Sequence, residues 1–329
     1  MNKPKVVVIG GPTASGKTAL SIALAKRING EIVSADSMQI YEDMDIGTAK
    51  PTVEEMAGIK HYLIDCVSPE IRYSVADFKN DATKAIEEIL AKGKTPIVVG
   101  GTGLYIDSLI YGIEYNEIPV DLEYRKRLEE LADEKGLEHL YNMANEIDEE
   151  AMKKISVNDK KRICRVLEIY KSTGKTKTQL EKESRKNGVK YDFRVFAIDM
   201  DREKLYDRIN RRVDLMIEAG LVDEVEKLIK KYPNMPTAMQ GLGYKEVVEY
   251  FNGKCTMDEM IDKIKQESRR YAKRQLTWFR KNKEIKWIDA SKDLNENTNF
   301  IIEEIRWRNY RKEEYKNKGK CRDREEEGN

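Results

Sequence analysis

A phosphate-binding loop lies near the start of the chain. Residues 10–18 read GGPTASGKT and fit the pattern G-x-x-x-x-G-K-[ST]. In this pattern backbone N–H groups cradle phosphates, the lysine adds a point charge, and the last hydroxyl helps to hold Mg²⁺. The loop follows the apolar run Lys5 to Ile9 and precedes a helical pattern, Ala19 to Arg27. The motif therefore predicts a phosphate site around Lys17 and Thr18, but it does not identify the molecule that carries the phosphate.

Two further polar segments follow predicted strands. The segment Ser34–Ser37, which contains Asp36, comes directly after the strand pattern Ile32–Val33, and ligands of open α/β sheets bind at the carboxyl ends of strands. Asp36 could therefore act on a bound ligand, or it could cap the next helix; the residues alone leave both interpretations open. A third strand pattern ends in GGTGLY, where the glycines let the backbone approach a ligand closely and leave the Thr102 hydroxyl free to donate.

The elements that must position these residues indicate an α/β fold. Short β-branched runs alternate with helical patterns in the N-terminal part, which is typical of a parallel sheet with crossover helices. We therefore expect a P-loop-type parallel sheet with flanking helices. The predicted strands are Val6–Ile9, Ile32–Ser34, Tyr62–Asp65, Ile97–Val99, Phe193–Asp199 and an edge strand at Ile285–Ile288.

The domain organisation follows from changes in composition. Residues 115–188 are charged and leucine-spaced without a strand pattern, so they predict a helical insertion domain. Residues 1–114 and 189–310 would then form the catalytic core with its C-terminal helices. The segment 311–329 is almost wholly polar and predicts a disordered tail.

Bulk composition excludes several classes of protein. The 329 residues are 40% apolar, and Lys plus Arg number 60 against 59 acids, so overall charge does not indicate a polyanionic partner. The four cysteines, Cys66, Cys164, Cys255 and Cys321, lack the spacing of a zinc site or a disulfide framework. With no apolar run near the roughly 20 residues of a membrane helix, we expect a cytoplasmic protein without a signal peptide.

Two basic clusters lie outside the predicted phosphate site. Lys160, Lys161, Arg162 and Arg165 fall on helical spacing, and residues 268–281 mix cations with aromatics. Such residues can grip a nucleic-acid backbone and stack on unpaired bases. For each cluster taken by itself, a solvated helix face is the alternative interpretation.

The phosphate loop is also compatible with a small-molecule kinase. The chain lacks the N-K-x-D base reader of GTPases, which argues against that class. A kinase needs an arginine-rich lid near the phosphates, and Arg208, Arg211 and Arg212 could supply one. A P-loop kinase therefore remains an alternative.

Several sequence blocks together resemble the bacterial tRNA dimethylallyltransferases. They occur in the family's order from Gly11 to about Asp289, which is nearly the whole chain except the tail. The most specific are DMDIGTAKP and KRQLTWFR; the full set is GPTASGKT, SADSMQIYEDMDIGTAKP, HYLID, YSVADF, VVGGTGLY, NDKKRICRVLE, GLGYKE and AKRQLTWFR.

The resemblance implies a chemistry for the loop. The phosphate would belong to dimethylallyl pyrophosphate, and the dimethylallyl group would go to the exocyclic N6 amine of the adenosine 3′ of the anticodon. Asp36 matches the family's general base, and Mg²⁺ is the implied cofactor. The implied catalytic residues are Asp36, Thr102 and Arg212, and the loop residues are Gly11, Pro12, Thr13, Ala14, Ser15, Gly16, Lys17 and Thr18.

The resemblance also implies tRNA, through its anticodon stem-loop, as the macromolecular partner of a monomeric enzyme. Gln240 departs from the arginine that some members carry, and no C-terminal zinc finger is present. Enzymes that prenylate free adenine nucleotides are the related alternative. The implied tRNA contacts are Asp36, Ser37, Met38, Gln39, Thr102, Arg125, Lys161, Arg162, Ile163, Cys164, Arg165, Gln240, Gly241, Leu242, Gly243, Tyr244, Lys245, Lys273, Arg274 and Arg280.

Overall fold

The computed structural model describes residues 3–113, 121–184 and 188–306. These residues form two compact units, one of residues 3–106 and 190–306, the other of 107–113, 121–184 and 188–189. The polar segment 311–329, expected from the sequence to be a tail, lies outside the described residues. Within these ranges, no helix combines the length and the apolar character that crossing a bilayer would require.

The first unit is built on a six-stranded sheet whose neighbouring strands are all parallel, in the order β3-β2-β4-β1-β5-β6. The expected P-loop-type parallel sheet is confirmed. The strands are β1 Lys5–Gly10, β2 Gly30–Ser34, β3 His61–Tyr62, β4 Thr95–Gly100, β5 Asp192–Asp199 and β6 Lys286–Asp289.

Helices connect and cover these strands. Residues 294–306 are also helical and follow the last strand. The other helices are α1 Lys17–Ile28, α2 Val53–Met56, α3 Val75–Ala91, α4 Gly103–Ile110, α5 Leu122–Lys135, α6 Leu137–Ile147, α7 Glu149–Met152, α8 Lys160–Thr173, α9 Lys177–Ser184, α10 Arg202–Glu218, α11 Leu221–Lys231, α12 Tyr244–Phe251 and α13 Met257–Phe279.

The centre of the sheet is apolar on both faces. In β1 the four residues Val6 to Ile9 are fully buried, as expected for a strand between two others in a parallel sheet. On one face, Ile9 and its neighbours pack with Leu20 and Leu24 of α1 and with Ile301 of the C-terminal helical segment. This core fixes the position from which the phosphate loop leaves β1.

The edge strand β3 is shorter than the sequence predicts. The pattern predicts a strand through Asp65, but the strand ends at Tyr62. Leu63 and Asp65 have φ values of 60° and 53°, in the left-handed region, where a strand cannot continue. Only two residues therefore pair with β2.

The last helical region before β6 consists of two helices. The first helix, α12, ends at Phe251, and α13 begins at Met257. Thr256 starts α13 because its side chain accepts a hydrogen bond from the Glu259 N–H and the Glu259 side chain bonds back, forming a capping box.

The second unit is helical in its described residues, which contain no strand. Leu140 and Met152 are fully buried, and they pack with Ile163 and Leu167 from the inward face of α8. This apolar core fixes the rotation of α8. Its opposite face, with Lys161 and Arg162, is exposed to solvent.

We expect Gly100→Ala to destabilise the first unit. A Cβ at residue 100 would overlap the Ala35 carbonyl, where the chains leaving β2 and β4 run together, so the backbone would have to move. Overpacking of this kind costs about 3 kcal/mol. The free energy of unfolding in urea measures this loss of stability.

As a control, Gly93→Ala introduces only left-handed strain, since no atom lies within 4 Å of its Cβ position, and should cost about 1 kcal/mol. Equal losses would contradict the steric explanation.

Candidate active site

The loop between β1 and α1 presents open backbone donors. Gly16, in a left-handed conformation with φ 94°, precedes α1 and gives it no side-chain cap, and the first turn of α1 contains no acid. By contrast, Ser74 caps α3 in the same unit with its side chain. The free N–H groups and the positive end of the helix dipole at α1 therefore remain available for an anion.

Lys17 lies folded over this loop. Its Nζ donates a 2.6 Å hydrogen bond to the Pro12 carbonyl. Burial, followed by the nearby Arg212 guanidinium, lowers the pKa of Lys17 to about 8, while the Asp36 carboxylate acts in the opposite direction. The ammonium is thus held where its charge is unfavourable without an anion beside it.

Helix α10 supplies more positive charge. Arg208, Arg211 and Arg212 lie at positions i, i+3 and i+4, so they share one face of the helix, and they line a cavity of about 510 Å³ in front of the loop. Burial lowers the pKa of Arg212, and the Arg208 charge adds to this effect. The carboxylate of Glu55 lines the same cavity.

Asp36 lies just past the end of β2. Its Oδ1 accepts hydrogen bonds from the N–H groups of Met38 at 2.9 Å and Gln39 at 3.3 Å, so it closes a local Asx turn. The helix-cap interpretation is wrong, because the next helix, α2, is capped by Thr52. No donor in the described ranges is recorded within hydrogen-bond distance of the second oxygen, Oδ2, which is therefore free to accept a proton.

Thr102 lies beside Asp36 and belongs to the segment after β4. Its N–H donates to the Ala35 carbonyl at 3.2 Å, and its Oγ1 accepts from the Ser37 N–H at 3.2 Å. It is not among the residues that line the cavity in front of the loop. Thr102 therefore supports the Asp36 turn, whereas its implied catalytic role stays a prediction.

A second cavity of about 270 Å³ opens over Asp36. Arg212 lines both cavities, and its Nη1 donates to Thr13 Oγ1 at 3.2 Å. Besides Arg212, α10 contributes apolar side chains to the wall, whereas α13 contributes both apolar and polar ones. The other lining residues are Ser37, Met38, Gly47, Thr48, Ile209, Val213, Met216, Gln240, Gly241, Leu242, Gly243, Tyr244, Lys245, Ile264, Ser268, Tyr271 and Arg274.

Comparison with known proteins identifies the family. The chain matches the model of the IPP transferase family over residues 39–282, well over half of its length. The chain belongs to this family. The resemblance read from the sequence is confirmed, and this member of the IPP transferase family is a transferase.

Two curated relatives are tRNA dimethylallyltransferases. The protein of Acetivibrio thermocellus is 56% identical over 303 residues, which cover 92% of this chain and 96% of the relative. The protein of Bacillus cytotoxicus is 51% identical over 290 residues, covering 88% and 91%.

Solved structures agree with this family membership. The tRNA isopentenylpyrophosphate transferase of Bacillus halodurans is 43% identical with a TM-score of 0.71, covering 94% of this chain and all of that one. A eukaryotic dimethylallyltransferase acting on tRNA is 32% identical with a TM-score of 0.71, covering 89% and 75%.

Sequence reasoning missed Glu224, which organises one wall of the second cavity in this IPP transferase. Its carboxylate accepts backbone hydrogen bonds from Asp45 at 3.1 Å, Ile46 at 2.7 Å and Gly47 at 3.2 Å. It also accepts from the Tyr244 hydroxyl at 2.6 Å. Burial and then the Glu224 charge raise the pKa of Tyr244 far above its usual range. No local motif marks Glu224, whose partners come from two distant segments.

Some residues that the resemblance assigned to tRNA contact have their side chains inside the protein. Tyr244 is fully buried, as are Ile163 and, almost completely, Cys164 in the second unit. Gln39 uses its amide Nε2 to donate to the carbonyls of Thr48 and Ala49. These side chains serve packing and loop geometry, and contact of tRNA with their exposed neighbours stays a prediction.

The charged residues of the second unit divide into paired and free groups. Arg125 donates from Nε and Nη2 to the buried Glu168 at 2.6 and 2.9 Å, and Arg165 approaches the same carboxylate at 3.3 Å. Lys161 is exposed and has no ion-pair partner among the described residues. Arg162 is also exposed, with only its neighbour Asp159 at 3.4 Å.

The exposed face of α13 carries the other predicted contacts. Lys273 and Arg274 are exposed, and the Arg274 guanidinium lies 5.6 Å from the centre of the Tyr271 ring. Arg280, which directly follows the helix, is 3.6 Å from Asp199. The inward face of α13 buries Phe279, so the cations keep a fixed orientation.

We expect Lys17→Met to stabilise the free protein while it weakens anion binding. The pKa of about 8, against 10.5 for an ordinary lysine, corresponds to roughly 3 kcal/mol, of which the lost hydrogen bond to Pro12 offsets about 1 kcal/mol. The net gain of about 2 kcal/mol should be complete below pH 8, where both folded and unfolded chains carry the charge. It should shrink from pH 8 to 10.5, because the folded wild type then loses its proton first.

Urea unfolding at several pH values measures this difference, and calorimetry with inorganic pyrophosphate measures the binding. Lys26→Met is the control, since Lys26 is an exposed residue of the same helix. A stability loss in Lys17→Met at pH 7, or unchanged pyrophosphate affinity, would contradict this account of the loop.

Proposed function

We propose that this protein transfers a dimethylallyl group from dimethylallyl pyrophosphate to N6 of the adenosine 3′ of the anticodon in tRNA. The observation that carries the proposal is the pair of cavities that share Arg212. One offers an anion site and the other a carboxylate with a free oxygen. Membership of the IPP transferase family and the tRNA-modifying activities named for its relatives support this function.

The diphosphate group would occupy the cavity in front of the loop. Lys17, the open N–H groups at the start of α1 and the arginines of α10 all direct positive charge into that space. Charge grows on the pyrophosphate as it leaves, so fixed donors there stabilise the transition state more than the ground state. Arg212 stands where the leaving group and the transferred group would meet.

The residues present fit Mg²⁺ as a cofactor that is bound chiefly through the substrate. Thr18 is exposed in the same cavity and offers a hydroxyl oxygen, whereas no cluster of three acidic, histidine or cysteine side chains in the described ranges could hold a metal. Mg²⁺ commonly binds few protein ligands and several phosphate and water oxygens. When bound, it would neutralise charge on the diphosphate.

Asp36 would be the proton acceptor. As the bond between N6 and the allylic carbon forms, the bond from that carbon to the pyrophosphate oxygen breaks and its electron pair leaves with the oxygen. The N6 lone pair is delocalised into the purine, so attack requires loss of an N6 proton, which Asp36 Oδ2 can take. The Asx turn at Oδ1 and the Thr102 contacts keep that carboxylate in place.

The adenosine must leave the anticodon loop to reach Asp36, since a stacked base cannot enter a cavity. Gln240, Lys245 and Arg274 line this cavity and offer donors to the nucleotide. Substrate tRNA would be met in the cytoplasm, and the described cysteines, Cys66, Cys164 and Cys255, are free thiols, as a reducing compartment permits. We expect the enzyme to act as a monomer.

We also propose that the helical segment 115–188 holds the tRNA through the exposed cations of α8. Lys161 and Arg162 are free to contact phosphates, whereas Arg125 and Arg165 are neutralised in part by Glu168. Arg125 would therefore contribute fixed hydrogen-bond donors to the tRNA contact rather than net positive charge.

Neither alternative function is favoured by the relatives. A kinase would need the arginines of α10 to close over a nucleotide triphosphate, and an enzyme acting on free adenine nucleotides would not need the cations of α8.

Nucleoside analysis separates the two prenyl acceptors, after unmodified tRNA, or AMP, is incubated with the protein, Mg²⁺ and dimethylallyl pyrophosphate. Labelled ATP in a parallel reaction tests phosphoryl transfer. Modification of AMP alone, or phosphoryl transfer alone, would overturn the proposal.

Asp36→Asn should slow the chemical step by about 10² to 10⁴. The amide oxygen can still accept from Met38 and Gln39, which preserves the turn, but the group no longer takes a proton. Single-turnover transfer to tRNA measures the step, and affinities for tRNA and pyrophosphate should change little. Asp289→Asn is the matched control, because Asp289 closes a similar turn after β6. A parental rate in Asp36→Asn would exclude Asp36 as the base.

Neutralising the exposed cations of α8 should flatten the salt dependence of tRNA binding. In the double variant Lys161→Gln, Arg162→Gln, fewer counterions are released, so the slope of log affinity against log salt should fall by about 1 to 2. Lys126→Gln with Lys153→Gln is the control, since both lysines are exposed in the same unit. An unchanged slope in the α8 variant would instead indicate that this cluster is only a solvated helix face.

A further inference from the structure

Gln275 is a buried amide that joins two of the three loops at the candidate active site. It lies on α13 and is 5% exposed. Its Oε1 accepts a hydrogen bond from the Thr13 N–H at 2.8 Å, and its Nε2 donates to the Gly101 carbonyl at 3.0 Å. One side chain thus connects the loop after β1 with the segment after β4.

Each end of this bridge leads directly to a residue of the proposed reaction. Thr13, fixed through its backbone by Gln275, receives the Arg212 guanidinium on its hydroxyl. On the other side, Gly101 precedes Thr102, which holds the Ser37 N–H next to Asp36. The amide therefore links the cavity in front of the phosphate loop with the cavity over Asp36.

The local sequence is fitted to this contact. A Cβ on residue 101 would overlap Gln275 Nε2, so the glycine at this position lets the amide approach the backbone. A buried amide must satisfy its donor and acceptor, and here both are used on main-chain groups of the two loops. An apolar residue of similar length would fill the space and leave Thr13 N–H and Gly101 C=O without these partners.

We infer that Gln275 is a positioning residue, which sets the distance between the pyrophosphate site and the Asp36 turn by bridging Thr13 and Gly101. This inference rests on the proposed function for the identity of the reactants. Gln275 falls within KRQLTWFR, which the resemblance linked to tRNA contact, but its amide points to the loops. Its neighbours Lys273 and Arg274 on the exposed side remain available to RNA.

The test compares Gln275→Met with Gln266→Met, the same change at an exposed position of the same helix. Thermal unfolding, calorimetric binding of inorganic pyrophosphate with Mg²⁺, tRNA affinity and single-turnover transfer are measured for both. For Gln275→Met we expect pyrophosphate affinity to fall about tenfold and the transfer rate about 10²-fold, as misplacement of reacting groups by about 1 Å can cause. Its tRNA affinity, and every value for Gln266→Met, should stay within twofold.

Gln275→Glu separates positioning from mere support of the fold. An ionised glutamate can accept from Thr13 but cannot donate to Gly101, whereas a protonated one can do both. The rate of this variant relative to wild type should therefore rise as the pH falls from 8 to 6. If Gln275→Met does not fold, the Gln275→Glu variant provides the test instead.

Three results would overturn the inference. They are parental pyrophosphate affinity and rate in Gln275→Met, a loss of tRNA affinity with the rate unchanged, and a Gln275→Glu rate that follows the wild-type pH profile. Failure of both variants to fold would also overturn it, since Gln275 would then support the fold itself. If wild type does not prenylate tRNA, the proposed function fails, while pyrophosphate binding still tests the bridge.

Discussion

Crowded positive charge around the phosphate loop is the constraint around which the first unit is organised. Lys17 and Arg212 are both held where burial disfavours their charge, and the nearby carboxylates are Asp36 and Glu55. Such an arrangement is unfavourable in the free protein and becomes favourable when an anion enters. The unfavourable free energy of these charges is offset by the apolar burial of β1 at the centre of the sheet.

A second network fixes the wall opposite the loop. Glu224 gathers three consecutive backbone N–H groups and the Tyr244 hydroxyl, so it ties DMDIGTAKP to GLGYKE. These two blocks lie about 200 positions apart in the sequence yet share one carboxylate. The network joins the buried Tyr244 to backbone groups nearer the surface, and such shared hydrogen bonds rigidify this wall of the cavity over Asp36.

Much of this arrangement could be read from the sequence, because the decisive signals are local. The loop pattern and the β-branched strands each depend on neighbouring residues, and the structure has β5 at Asp192–Asp199 where the pattern predicts a strand at Phe193–Asp199. The long-range hydrogen-bond partners of individual side chains could not be predicted from the sequence. Nothing near Gln275 or Glu224 indicates which distant backbone groups they bind, and a one-dimensional pattern could not show that Ile163 and Cys164 face inward from a basic helix. The early end of β3 depends on two left-handed residues that are not glycine.

The uncapped start of α1 also determines how stability is distributed along the chain. With Gly16 giving no side-chain cap, the first amides of α1 are protected from exchange with solvent only weakly until an anion accepts their hydrogen bonds. The same helix buries Leu20 and Leu24 against the sheet. Ligand binding at one end of α1 is thereby coupled to the cooperative unfolding of the core, so an anion bound there would stabilise the whole sheet in a concentration-dependent way.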